Sequence, residues 1–147
     1  MTLKIVVLGL PVTQGSKTGF VVGKRAVVVD GGSEGARMRF KDWRHAVRSE
    51  AQRAVELHGL EEGMWDGPVA VTCDFRLLKP ASAPKRRRTW PIGARSGDLD
   101  KLERLVYDAL TGVVFSDDAH VVENHNTKDY GVPGVEISVS TVGEPQT

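Results

Sequence analysis

The sequence predicts a small α+β domain in which two main helices cover a mixed or antiparallel sheet. Short apolar or alternating runs, read as strands, stand near both ends and in the middle of the chain. Two longer stretches place apolar residues every three or four positions instead, the period of a helix with one buried face. The order is strands, helix, strand, helix, strands, with no internal repeat. A length of 147 residues fits a single domain over 1–147 with one main core.

"LKIVVLG" (3–9) is a short apolar run bounded by Gly9 and Pro11, and reads as a strand. "PVTQGSKTGF" (11–20) is a polar loop that resembles a phosphate loop only superficially. Five residues, not four, separate Gly9 from Gly15, and Ser16 stands where the lysine belongs. A surface loop, or a loop touching a phosphate through Lys17, is the better reading. "FVVGK" and "RAVVVD" (20–30) read as two short strands around a tight Gly23-Lys24 link, followed by a glycine-rich connection at 31–36. Phe40, Trp43, Val47, Ala51 and Ala54 mark a helix over about 38–58, stopped by Gly59. Arg44 and Arg48 lie four apart on another side of it and can point outward together.

"GPVAVTCDFRLLKP" (67–80) reads as a longer strand, since Val69, Val71, Cys73 and Phe75 alternate with smaller or polar residues. A basic loop at 80–97 follows, with five Arg or Lys, no period, and Pro84 and Pro91. Structureless loops of that length are uncommon and often functional. Leu99, Leu102, Val106 and Ala109 then define a helix over 99–110, ended by Gly112. "HVVENHNTK" (120–128) and "GVEISVSTV" (134–142) read as final strands linked around Asp129-Tyr130-Gly131, with a loose tail at 143–147.

No stretch of 18 consecutive apolar residues is present, and "LKIVVLGL" follows the N-terminus without a signal-peptide pattern, so a cytoplasmic protein is expected. The one cysteine, Cys73, excludes an internal disulfide and a multi-cysteine zinc site. It is expected to be buried and inert. The net charge of +1 hides an uneven distribution. Residues 37–53 carry six basic against two acidic side chains, 79–104 carry eight against three, and 105–147 carry one against seven. Basic surface attracts phosphate backbones, although a solvated surface of mixed sign is the bland alternative.

The chemistry concentrates in "GDLDKLERLVYDALTG" (97–112). Asp98 and Asp100 have a structural explanation: aspartate suits a helix start, and Asp100 with Glu103 has capping-box spacing. They also have a functional one. Two carboxylates converging at a helix start can hold Mg²⁺, which keeps several waters and can polarise a phosphate oxygen. Lys85, Arg86, Arg87, Arg88 and Arg95 would then offset the repulsion between acids and phosphodiester. Arg104, one turn after Asp100, could steer a phosphate or neutralise that acid. "FSDDAHVV" (115–122) supplies Asp117 and Asp118, either turn residues or the source of a third carboxylate. His45, His58, His120 and His125 show no ligand spacing. Trp43 belongs in the core. Trp65 and Trp90 flank loops and could stack on bases or plug apolar gaps, Trp90 being better placed beside the basic run.

The stretch 97–122 resembles the signature of the RusA family of Holliday junction resolvases: Asp-Leu-Asp, a helix ending in Asp-Ala-Leu-Thr, and an Asp-Asp pair leading into a strand. "LGLPVTQGSKTG" (8–19) is similar to the family's first loop. The resemblance implies a RusA-like α+β homodimer, often encoded by bacteriophages and prophages, acting in DNA recombination and repair. It implies an endonuclease that binds four-way DNA junctions and cuts paired, symmetric strands with Mg²⁺. Asp98, Asp100 and Asp118 would be the metal-binding acids, with Asp117 beside them. Arg104 stands where the best-known pattern has a catalytic lysine. Arginine keeps the charge and can fork onto phosphate, but does not readily lose a proton. Lys101, one turn earlier, could partly substitute and contact DNA. Rival readings are another Mg²⁺-dependent nuclease specific for flaps or ends, a non-catalytic DNA-binding protein, and an interaction protein without salt-dependent DNA affinity.

Overall fold

The computed structural model describes residues 2–15, 18–22, 25–29, 34–60 and 65–143. Lys17, named above as a phosphate contact, lies outside them. The apolar run forms strand β1 (Thr2–Leu8), which alternates: Leu3, Ile5 and Val7 are buried and the residues between them exposed. β2 (Thr18–Val22) and β3 (Arg25–Val29) form a separate antiparallel hairpin. Helix α1 (Glu34–Leu57) leads to β4 (Val69–Leu77), α2 (Leu99–Leu110), β5 (Val121–Tyr130) and β6 (Gly134–Thr141).

The main sheet has the order β1-β6-β4-β5. β6 runs antiparallel to both β1 and β4, whereas β5 is parallel to β4, so the sheet is mixed. Parallel neighbours need a long crossover, and here the basic loop and α2 provide it. Inward residues of β1, β4 and β6 meet Trp43, Val47, Ala51 and Val55 of α1 and Leu102, Leu105, Val106 and Ala109 of α2 in one apolar cluster. Among the described residues, every fully buried side chain is apolar. Cys73 is at 0 % exposure, and burial pushes its thiol pKa up, which keeps it an unreactive thiol. No described helix is long and apolar enough to cross a membrane.

Several details differ from the sequence expectations. α1 starts at Glu34 rather than about 38, because its first turn has no apolar stripe and periodicity cannot register it. β4 is shorter than the 67–80 run, and β5 continues through Asp129 and Tyr130, where a turn was expected. Strand pairing explains the extension: Asp129 and Tyr130 lie opposite Arg76 and Leu77. Trp65 is no stacking platform. At 7 % exposure it belongs to the core, bridged to Phe115.

Arg44 and Arg48 do not point into solvent together. Arg44 Nε donates to Asp108 at 2.7 Å, and Arg48 donates to the carbonyls of Ala109 and Thr111 at 3.2 and 3.1 Å. The end of α2 leaves unpaired carbonyls and partial negative charge, and Arg48 meets both needs. Gly112, at φ +81°, then turns the chain back.

Candidate functional site

α2 begins at Asp98, whose backbone is extended (φ −76°, ψ 138°) and whose side chain caps nothing. Its carboxylate pairs with Lys101 Nζ at 3.2 Å. The capping box expected from Asp100 and Glu103 does not form. Asp98, not Asp100, occupies the cap position, and Glu103 is drawn away to β5. Asp100 therefore sits in the first helical turn, exposed, with no hydrogen-bond or ion-pair partner among the described residues. The capping box therefore does not account for it, although an acid in the first turn still suits the positive helix end.

The approach to this helix start is tightly fixed. Gly97 has φ +83°, and a Cβ there would stand 2.5 Å from the Thr13 methyl. Lys128 of β5 donates to Gly97 O at 2.8 Å and to Ser96 Oγ at 3.0 Å. That serine also holds the short 3₁₀ turn Ala94–Ser96, donating to Gly93 O at 2.6 Å.

The second acidic pair lies before β5. Asp117 caps the 3₁₀ turn Asp118–His120, its Oδ1 accepting from Ala119 N–H at 2.9 Å. That hydrogen bond, aided by one with Asp118, lowers the Asp117 pKa. Asp118 is shifted the other way: partial burial first, then Asp117 and Asp108 beside it, push its carboxyl up. The pair thus divides into a turn-forming acid and an acid whose charged form is disfavoured, first by desolvation and then by its acidic neighbours.

Asp100, Asp118, Glu103, Arg104 and Tyr107 line one open cleft. Arg104 is exposed and has no ion-pair partner among the described residues. Burial, then the Glu103 carboxylate, push the Tyr107 phenol pKa up, so it stays protonated. Asp98 is not part of the cleft lining, and no three described His, Cys, Asp or Glu side chains are grouped to hold a metal ion. The donor chemistry of the cleft nevertheless fits Mg²⁺. Two hard carboxylates, Asp100 and Asp118, border open space, and Mg²⁺ is commonly held by one or two carboxylates with waters completing its shell.

The basic residues fall into distinct groups. Lys85, Arg86, Arg87 and Arg95 are exposed and have no ion-pair partner among the described residues. Arg88 is engaged: it forks onto Asp129 at 2.7 and 2.6 Å and lies 4.5 Å from the centre of the Trp90 ring. One face of Trp90 is therefore taken, although the residue is 54 % exposed. Arg88 ties the basic loop to β5, and Lys101 is committed to Asp98.

Sequence reasoning gave Glu103 only a capping role and did not single out Tyr107, Asn124, Asn126 or Lys128. A signal was present in "ENHNTK" (123–128), where polar residues recur at alternate positions of a strand without an apolar face. That pattern fits the floor of a polar site.

No curated protein matches the chain. Residues 24–140 match the family model described as Endodeoxyribonuclease RusA. The match spans most of the chain and contains both acidic pairs, Arg104 and the strand beneath them. The chain belongs to the RusA family of endodeoxyribonucleases.

Proposed function

We propose that the protein is a Mg²⁺-dependent, homodimeric endonuclease that resolves four-way DNA junctions by paired symmetric nicks. The observation that carries this reading is the meeting of Asp100, Asp118 and Arg104 in one cleft, within a family of DNA endonucleases. Asp100 and Asp118 would hold the ion, with Asp98 joining when Lys101 leaves it for a DNA phosphate. Bound Mg²⁺ would supply Lewis-acid polarisation of the phosphodiester and a more acidic water.

The other roles belong to the chain's own side chains. Arg104 holds a non-bridging phosphate oxygen. Because arginine stays charged, it does not take the proton from the attacking water. That task falls to the carboxylates. Lys85, Arg86, Arg87 and Arg95 contact backbone phosphates, which position DNA without reading its sequence. A twofold dimer would present two such clefts to a substrate needing two symmetric cuts.

The test uses a labelled four-way junction and a matched duplex, in Mg²⁺ and in EDTA, with wild type, D98N and D100N. Paired nicks on the junction alone, lost in EDTA and in both variants, are expected. Tight junction binding without cutting in any divalent metal would overturn the catalytic reading.

A further inference from the structure

Glu103 is the third carboxylate of the cleft, and its surroundings separate it from the other two. Oε1 accepts from Asn124 Nδ2 at 2.7 Å, and Oε2 accepts from Asn126 Nδ2. Both oxygens are thus occupied by neutral amide donors from β5. Asp100 has no such partner.

We propose that Glu103 is a positioning residue, clasped by Asn124 and Asn126, that fixes the separation of Asp100 from Asp118. This inference rests on the proposed cation site. The geometry is a short closed circuit. Glu103 lies three residues after Asp100 and immediately before Arg104 on α2. Asn124 and Asn126 lie on the strand that follows directly from the Asp118 turn. The clasp joins these two segments at side-chain level. Without it, α2 and the edge strand would lose their direct polar tie beside the cleft. A metal tolerates little change in the spacing of its carboxylates, because Mg²⁺ demands near-ideal octahedral geometry.

The alternative role for Glu103 is direct ligation. It would require the carboxylate to exchange two amide hydrogen bonds for the ion, leaving Asn124 and Asn126 unpaired. The amide of Asn126 offers a way to distinguish the roles. Its Oδ1 is buried without a hydrogen-bond partner. A glutamine at position 103 could therefore accept from one asparagine and, after rotation of the Asn126 amide, donate to that oxygen. It would preserve the clasp while removing the negative charge a ligand needs.

The experiment is calorimetric titration of Mg²⁺ into wild type, E103Q, E103A and the N124A/N126A double variant, each verified as folded by urea unfolding. E103Q is expected to bind Mg²⁺ within about threefold of wild type. E103A and the double variant are expected to bind about 10- to 100-fold more weakly, the usual scale for losing an outer support of a metal site. In junction cleavage the same two variants should lose kcat, with junction Kd unchanged.

Equal weakening in E103Q and E103A would make Glu103 a ligand and overturn the proposal. Equal binding by all four proteins would also overturn it, leaving the clasp only a stabilising contact. The double variant keeps the test decisive if E103A fails to fold. A wild-type protein that binds no Mg²⁺ would remove the cation site itself, a failure visible before any variant is compared.

Discussion

β4 and β5 run side by side in the same direction, yet their inward faces differ completely. Val71, Cys73 and Phe75 of β4 are at most 1 % exposed. Their register partners on β5 are Asn124, Asn126 and Lys128. The apolar core ends at β4, and a polar layer one strand wide begins. α2 serves both: Leu102, Leu105 and Val106 enter the core, while Glu103 reaches β5. Stability and chemistry are thus separated by one strand spacing, about 4.8 Å.

The register pair Phe75 and Lys128 offers the most direct way to break this contrast. F75A should remove about 3–5 kcal/mol of stability, as large core truncations do, measured by urea unfolding. The fraction that remains folded should retain its activity per molecule. An unfolding midpoint close to that of wild type would show that the core extends elsewhere.

K128M should have the opposite profile. Its loss of two charge-assisted bonds to Ser96 and Gly97 should cost about 1.5–3 kcal/mol, less than the core truncation. Cleavage should fall roughly tenfold, because the approach to Asp98 is no longer held. A variant with full activity would detach the segment before Asp98 from the chemistry.

The smallest expected effect concerns Asp129, the next residue on β5. Arg88 first, then the Tyr130 N–H, hold its carboxyl below the usual carboxylate range. A depressed native pKa contributes stability that is present above the unfolded value, about 3.9, and is lost as pH falls through the lower native value. D129N should therefore melt slightly below wild type at neutral pH, with the gap closing as pH falls below about 4. At neutral pH, trypsin should also cut the released basic loop at Lys85–Arg87 faster in D129N. Equal rates of cutting would mean that the Arg88 fork does not restrain the loop.

Much of this architecture was legible because it depends on local pattern. The three-to-four spacing of Leu99, Leu102, Val106 and Ala109 gave α2 its observed bounds, an apolar run marked β1, and alternation gave β4 its buried face. The placement of Asp117 and Asp118 just ahead of a strand was equally readable. Partnerships were not. Asp98 chose Lys101 over a cap, Glu103 chose two asparagines more than 20 residues away, and Trp65 found Phe115. Each depends on which segments the sheet order brings together, and the parallel pairing of β5 with β4 has no local signature. Spacing alone therefore offered Asp98 and Asp100 together with either acid of the later pair, whereas geometry places Asp100 and Asp118 on a shared cleft and gives Asp98 and Asp117 local partners.

The position of β6 has a consequence for the newborn chain. It lies between β1 and β4 but follows every other described strand in sequence. While residues 134–141 are still inside the ribosome, β1 has no sheet partner and β4 lacks one of its two neighbours. Such long-range pairing is slow and leaves edges open to misassembly. α2 and both acidic pairs have by then been synthesised, but the platform that aligns them is incomplete. A fragment ending before Gly134 thus carries α2 and both acidic pairs without the strand that joins β1 to β4.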